Sequence, residues 1–387
     1  MLSTLTKSLL IAVILLSTSV RCGTGLISAH AFAPELSRDQ LLQAARAGGD
    51  YLLRIQRQDG GFKYYYDAAE DRFESRRYNI VRHAGTTFAL FDLYAATRDL
   101  RYNESARRAI RFLVTRVRRA PRTQGAYVLD YDGKAKLGAN GLTLVALTRQ
   151  IELLPGSGDL RNAEALARLI LSLQRKDGSF EMRYTLPGNG QSLFESLYYP
   201  GEAMLGLIRL YGLNHDARLL SAARRGADYL IGRQQKMNEL PADAWFMEAL
   251  EALYKVGREK KYVEHALALA EAMIADQYTE DAPQGFAGGF GPGSPRATPA
   301  ASRAEGLVAA YRLARRTGDA RASKIAASLR ASAMFQLAQQ LTADTEGVRN
   351  PRLAAGGFRE GLTSMKVRID YVQHNISSLL SIAESLY

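Results

Sequence analysis

The sequence has 387 residues, 47% of them hydrophobic, which is enough for a large buried core and more than one ordinary domain holds. Its formal net charge of +12 indicates an acidic partner or surface. The basic residues are spread along predicted helices and form no cluster interleaved with aromatic residues, which argues against nucleic acid as the partner.

The first 31 residues have the features of a signal peptide. Lys7 supplies a positive charge, residues 9–16 form an apolar run too short to span a bilayer comfortably, and residues 29–31 offer a small-x-small cleavage site. We therefore expect a periplasmic or secreted protein with residues 32–387 as one domain. The alternative is an uncleaved leader that anchors the chain in a membrane. In an exported protein, the basic charge favours an anionic polysaccharide or a lipid headgroup, with a solvated basic surface as the alternative.

After the leader, the chain repeats a helical unit. Residues 45–56 and 223–234 agree at seven of twelve positions, and both have the apolar spacing of an amphipathic helix. Ser37 and Gln40 predict a capping box at the start of the first helix. The turns that follow such helices read QRQDGGF at 56–62 and QRKDGSF at 174–180, where Asp-Gly marks a turn and glycine permits a helix stop.

Each such turn is followed by a second helix that is richer in apolar and small residues. The first helices carry arginine and glutamate on one face, which predicts an outer ring, and the second helices are apolar nearly all round, which predicts an inner ring. Six hairpins predict an all-α fold, a closed (α/α)6 toroid. An open solenoid is the alternative, but the repeat length varies too much for it. The predicted inner helices cover 83–94, 138–150, 200–211, 243–254, 303–315 and 370–386.

In a closed ring, the N-termini of the inner helices meet at one end of a central funnel. Free N–H groups and helix dipoles favour anions there. Ionisable residues at these positions need partners or a solvated cavity, because burying them alone is costly. The candidate catalytic residues are His83, Glu202, Asp243 and Asp370, and the candidate substrate-binding residues are Arg82, Tyr199, Trp245, Arg303, His374 and Asn375.

Most candidates have a structural alternative. Glu202 suits a general acid beside Tyr199, but it also complements a helix dipole. Asp243 is a plausible N-cap, and the single tryptophan, Trp245, suits either a sugar ring or the core.

Other candidates are pairs. Asp370 and His374 lie four residues apart, so they share one helix face. Arg82 and His83 enter an apolar helix together, where they either bind a substrate or form capping hydrogen bonds. Arg303 could form an ordinary surface pair with Glu305.

We expect no metal and no cofactor. The only cysteine, Cys22, lies in the leader, and neither His83 nor His374 has a second histidine at ligand spacing. The sequence also lacks a G-x-S-x-G elbow, a Walker loop and a Rossmann fingerprint.

The Gln-x-x-Asp-Gly-Gly/Ser-Phe turns resemble the repeat of squalene cyclase-like and prenyltransferase-like helical barrels. From about Leu41 to Tyr387 the arrangement is similar to the six-hairpin glycosidase and terpenoid-cyclase toroids. The Asp-rich acid motif of squalene-type cyclases and the Cys/Cys/His zinc set of lanthionine-synthetase toroids are absent. The resemblance implies a carbohydrate-active enzyme.

The first hypothesis for function is a glycoside hydrolase that acts on an anionic cell-surface or extracellular polysaccharide. Glu202 and Asp243 are its candidate carboxylates, with Asp370 as a third, since glycosidases need two facing carboxyl groups.

Two alternatives use the same funnel. One is a non-catalytic factor for polysaccharide binding or assembly. The other is a uronate lyase or epimerase, in which His83, Tyr199 or His374 removes a proton beside a sugar carboxylate. Arg82 or Arg303 would hold that carboxylate.

Overall fold

In a computed structural model, residues 36–156, 159–186 and 193–387 are described. The predicted signal peptide lies outside these residues. Six long helices form an outer ring: α1 (Arg38–Ile55), α3 (Leu100–Val114), α5 (Leu160–Ser172), α7 (Ala217–Gln234), α9 (Lys260–Ala275) and α11 (Arg321–Ala338). Six form an inner ring: α2 (Ile80–Thr97), α4 (Leu137–Leu153), α6 (Tyr199–Asn214), α8 (Ala244–Gly257), α10 (Ala297–Thr317) and α13 (Ile369–Leu386). A short helix, α12 (Pro351–Ala354), precedes the last inner helix.

The inner ring is closed. Each inner helix contacts the next, and α13 contacts α2. The apolar core lies between the two rings, where the inner helices are buried along most of their length. The prediction of an (α/α)6 toroid is confirmed. Among the described residues, no helix is long and apolar enough to cross a membrane.

The inner helices begin close to the predicted positions, with one exception. The sequence placed the start of the fifth at Arg303, whereas α10 begins at Ala297. Pro299 lies in the first turn of α10, where a proline costs no helical hydrogen bond. The capping box of Ser37 and Gln40 at the start of α1 is confirmed.

The repeated glutamine turns join neighbouring outer helices. Gln56 Nε2 donates to the carbonyl oxygen of Gly60 at 3.2 Å and to that of Ser105 on α3 at 3.0 Å. Gly60 has a φ of +90°, which glycine adopts without strain. Gln340 repeats this contact and bonds the carbonyls of Gly356 and of Ala44 on α1, so it ties the last outer helix to the first. The equivalent links of the other turns are Gln174 to Gly178 and Ala222, and Gln277 to Gly288 and Ser328.

The loops between the helices contain short strands that were not predicted from the sequence. The strands are β1 (Tyr65–Asp67), β2 (Arg72–Phe73), β3 (Val117–Ala120), β4 (Gly125–Val128), β5 (Ala135–Lys136), β6 (Arg183–Tyr184), β7 (Arg359–Gly361) and β8 (Ser364–Arg368). A four-stranded sheet of order β2-β1-β8-β7 joins the loop before α2 to the loop before α13. In its antiparallel register, Tyr65 lies opposite Arg368. The sheet therefore forms part of the rim at the end where the inner helices begin.

Candidate functional site

The N-terminal ends of the inner helices surround a cavity of about 540 Å³, which we call the funnel. This volume lies in the range of small-molecule binding sites. Seven of the predicted site residues line it: Arg82, Tyr199, Glu202, Trp245, Arg303, Asp370 and His374. The helix starts therefore converge on one cavity, as the closed ring requires.

Arginines dominate the charge of the funnel. Arg82, Arg296, Arg303 and Arg368 all line it. Asp370 lies between two of them: its Oδ2 is 3.1 Å from Arg82 Nε and 2.9 Å from an Arg368 Nη atom. One carboxylate thus holds two guanidinium groups in place and compensates only part of their charge.

Arg303 is different, because it makes no ion pair with any residue of the described ranges. It is half-buried in the second turn of α10, with its guanidinium 5.4 Å from the centre of the Phe290 ring. Burial lowers its pKa. A half-buried cation without a counter-ion is costly, and a bound anion would remove that cost.

A histidine–carboxylate pair, with a buried glutamate and a partly buried histidine, lies at the wall of the funnel. His374 Nδ1 is 2.7 Å from Glu305 Oε2, and the His374 ring faces the funnel. Burial by itself lowers the pKa of His374, but the charge and hydrogen bond of Glu305 outweigh it and raise the pKa above its usual value. Within the described part of the chain Nε2 has no hydrogen bond, so it is available to a ligand.

Trp245 stands beside this pair, with its ring centre 6.2 Å from that of His374. It also lines a second cavity of about 630 Å³, which includes Glu305 and residues from the C-terminal halves of the inner helices. The tryptophan and the His374–Glu305 pair therefore lie between the funnel and the cavity at the other end of the barrel.

Glu202 and Asp243 are close enough to influence each other. Glu202 is 4% exposed, and burial, followed by the charge of Asp243, raises its pKa to about 8. Burial also raises the pKa of Asp243 to about 7. Glu202 Oε2 and Asp243 Oδ2 have no hydrogen-bond partner among the described residues. Glu202 is therefore largely an uncharged acid at neutral pH, which suits a proton donor.

Asp243 does not line the funnel, although the sequence predicted that it would. It is fully buried and caps α8, where it accepts a hydrogen bond from the Phe246 amide at 3.1 Å. Its structural alternative, an N-cap, is the role that the geometry supports.

His83 also lies away from the funnel, so the prediction that it faces this cavity is wrong. Its Nδ1 is 2.7 Å from the Tyr78 hydroxyl, its Nε2 is 3.0 Å from the Ala109 carbonyl oxygen, and its ring stacks on Phe112 at 4.7 Å. Burial lowers its pKa to about 4. The side chain next to it, Arg82, faces the funnel, because successive residues of a helix point about 100° apart.

Asn375 is a further correction. Its side chain is fully buried and donates to the Tyr371 carbonyl at 2.7 Å, one helical turn earlier. It does not line the funnel. Among the polar residues in the first two turns of α13, Asp370, Gln373 and His374 therefore line the cavity, and Asn375 lies in the helix interface.

Other residues of the site were not predicted from the sequence. Glu305 appeared as one half of a surface pair, whereas it is 5% exposed and bound to His374. A glutamate in a helix that is apolar all round was the signal for a buried partner. Arg296 and Arg368 each lie just before an inner helix, so the rule of converging helix starts also applies to them.

No protein-family model and no curated protein matches the sequence. Solved structures do match the fold. A D-mannose isomerase has a TM-score of 0.69 and 13% identity over 90% of this chain and 97% of its own. A cellobiose 2-epimerase from Bacillus thermoamylovorans has a TM-score of 0.68 and 14% identity over 89% of this chain and 99% of its own. A GH76 α-mannanase from Bacteroides thetaiotaomicron has a TM-score of 0.65 and 13% identity over 90% of this chain and 96% of its own.

These similarities concern the fold alone, because the identities are low. They agree with the six closed hairpins of the structure. The chain has the fold of the six-hairpin, glycosidase-like (α/α)6 toroids, and the resemblance expected from the sequence is confirmed at that level.

Proposed function

We propose that this protein is a carbohydrate-active enzyme, an epimerase or lyase that acts on the uronic acid residues of an anionic polysaccharide. The observation that carries the proposal is the partly buried His374–Glu305 pair beside a funnel lined by four arginines. The structural neighbours support a sugar as the substrate, since their names include a sugar isomerase, a sugar epimerase and mannanases. The substrate's negative charge is supported by Arg303, which has no ion-pair partner within the described chain.

The chemistry follows from these groups. The hydrogen on the carbon next to a carboxylate is weakly acidic. Arginines that bind the carboxylate stabilise the negative charge that forms when this hydrogen is removed as a proton. Neutral His374 donates Nδ1–H to Glu305, and its Nε2 accepts the proton from that carbon. The C–H electron pair moves onto the carboxylate as the Nε2–H bond forms.

Two reactions can then follow, and atoms and electrons balance in each of them. In an epimerase, the carbon takes a proton on its opposite face, for which Glu202 or Tyr199 is the candidate donor. In a lyase, the electron pair forms a double bond and expels the sugar oxygen from the neighbouring carbon, with a proton from the same donor. Glu202 is suited to this role because its pKa is about 8.

A glycoside hydrolase is the second candidate, and Glu202 is the observation that favours it. Hydrolysis also needs a second carboxylate about 5–10 Å away that is ionised and free to act as base or nucleophile. Asp370 is held by Arg82 and Arg368, and Asp243 caps a helix. The funnel therefore supports proton transfer at carbon better than hydrolysis. A binding factor would use the same arginines without turnover.

The test compares turnover of alginate, a glucuronate-containing glycosaminoglycan and neutral mannan. A lyase gives unsaturated uronate, an epimerase changes sugar configuration without cleavage, and a hydrolase gives saturated reducing ends. We expect one of the first two, with activity lost in His374→Gln. The control is His215→Asn, since His215 is exposed and has a φ of +55°, which asparagine tolerates. Cleavage of mannan with saturated ends would overturn the proposal.

We also propose that the protein is exported from the cytoplasm. Lys7, the apolar run at 9–16 and the motif at 29–31 support a periplasmic or secreted protein with a mature N-terminus near Phe32. Sequencing the N-terminus of the protein recovered outside the cytoplasm tests this. A retained Met1 would favour a membrane anchor.

A further inference from the structure

A second groove opens beside the funnel. It is lined by Arg76, Arg77, Lys366 and three tyrosines, and it shares Arg82 and Arg368 with the funnel. The two cavities therefore meet at these two guanidinium groups. The groove lies against β1 and β8, the central strands of the sheet that joins the first and last hairpins.

The shared arginines are held from both sides. Asp370 binds both of them, and Arg82 also donates to the hydroxyl of Tyr64, a residue that lines the groove. Arg368 packs over the Tyr371 ring, with its guanidinium carbon 4.4 Å from the ring centre. These contacts fix two cations where one chain of sugars would pass from the funnel into the groove.

Two of the remaining cations, Arg76 and Lys366, lie beside the ring of Tyr65. Arg76 lies 5.0 Å from the centre of its ring, and Lys366 lies 6.0 Å from it. Both are also paired with Glu74, at 3.0 Å and 2.9 Å. Arg77 is exposed and forms no ion pair in the part of the chain that the structure describes.

The groove therefore combines tyrosine rings with more cations than acids. Five cations line it, against one lining acid, Glu360, and three acids that pair with them from the side, Glu74, Asp67 and Asp370. Arginine binds carboxylate oxygens in a bidentate manner, and a tyrosine offers both an apolar face and a hydroxyl.

We propose that this groove is a separate subsite that binds the uronic acid residues adjoining the one in the funnel, so that the ligand is a linear polyuronate and not a single sugar. The proposal rests on the proposed function, because it takes the sugar in the funnel to be part of an anionic chain. Arg77 contacts only the outer residues of such a chain. Arg82 and Arg368 contact both parts.

The experiment measures binding of two probes by isothermal titration calorimetry: a uronate disaccharide, sized for the funnel, and a longer oligouronate that reaches the groove. The proteins are the whole chain and the variants Arg77→Ala and Arg107→Ala. Arg107 is an exposed arginine on α3, so it controls for loss of one positive charge. Neither change removes a buried side chain.

We expect the longer probe to bind the wild-type protein more tightly than the disaccharide. Arg77→Ala should weaken the longer probe about three- to tenfold and leave the disaccharide unchanged, and Arg107→Ala should change neither. If the disaccharide binds but the longer probe gains nothing, or if Arg77→Ala weakens both equally, the groove is not a subsite although the funnel still binds uronate. If neither probe binds, the proposed function fails and this proposal fails with it.

Discussion

His374 on α13 and Glu305 on α10 lie 69 positions apart in the sequence, and their side chains meet at 2.7 Å beside the funnel. The carboxylate orients the ring through Nδ1 and leaves Nε2 toward the cavity. Glu305 itself reaches the cavity at the other end of the barrel. A buried carboxylate in this position controls both the tautomer and the pKa of a histidine, which are the properties a general base requires.

The pair makes a specific prediction for the pH dependence of activity. In Glu305→Gln the charge that raises the pKa of His374 is gone, so burial dominates and the pKa falls. Because the neutral ring is the base, the acidic limb of kcat/KM should move to lower pH. The maximal rate should fall by about 10- to 100-fold as the ring loses its orientation.

The control is Glu384→Gln, which replaces an exposed glutamate on α13, the helix of His374, that pairs with Arg312. It should leave the profile unchanged. An acidic limb at the same pH in Glu305→Gln would show that this carboxylate does not act on the catalytic base.

The raised pKa of Glu202 predicts that the stability of the folded protein depends on pH. Its pKa is raised from 4.5 to about 8 in the folded protein, so the folded state keeps a proton that the unfolded chain loses. Between about pH 5 and 7, the free energy of unfolding therefore falls as pH rises, by up to about 1.4 kcal/mol per pH unit from this group. In Glu202→Gln that contribution disappears, so urea unfolding should show a shallower decline with pH. Parallel curves for the two proteins would contradict the raised pKa.

The buried contacts of His83 predict that replacing it lowers stability and leaves catalysis intact. His83→Ala removes the stacking on Phe112 and leaves the Tyr78 hydroxyl and the Ala109 carbonyl without their buried partner. We expect the free energy of unfolding to fall by about 2–4 kcal/mol. The kcat of the folded protein should stay near that of the wild type. A large fall in kcat with an unchanged melting temperature would restore His83 as a candidate catalytic residue.

Closure of the ring predicts that two glycines with positive φ differ in how much stability is lost when each is replaced by alanine. Gly356 has a φ of +84°, and an added Cβ would lie 2.0 Å from the Ala47 carbonyl oxygen on α1. Gly133 has a φ of +74° but nothing within 4 Å of that position. Gly133→Ala should therefore cost only the backbone strain of about 1–2 kcal/mol, and Gly356→Ala distinctly more, because it separates α12 from α1. Equal melting temperatures would mean that this junction does not support the ring.

The rings were predictable from sequence because the evidence for them is local. Apolar spacing, the Ser37 cap and the Asp-Gly turns depend on residues a few positions apart. The strands were not predictable, since they are two to five residues long and show too little alternation. Their pairing brings together segments from opposite ends of the chain.

The site could be predicted only in part. The rule that helix starts converge placed Arg82, Glu202 and His374 at the funnel. It could not decide in which direction each side chain points. Arg82 and His83 are successive residues of one helix, so their side chains point about 100° apart. Nor could it pair His374 with Glu305, since that contact depends on the packing of α10 against α13.

The most direct test of the account is solvent deuterium exchange. The protein is incubated in D2O with the uronate polymer, and deuterium at the carbon next to the carboxylate is measured by NMR. Wild-type protein should introduce deuterium there during epimerisation, or leave an unsaturated residue if it is a lyase. His374→Gln should reduce either rate by about 100-fold or more with little change in melting temperature. Cleavage to saturated ends with no deuterium at that carbon would contradict proton transfer by His374 and indicate hydrolysis.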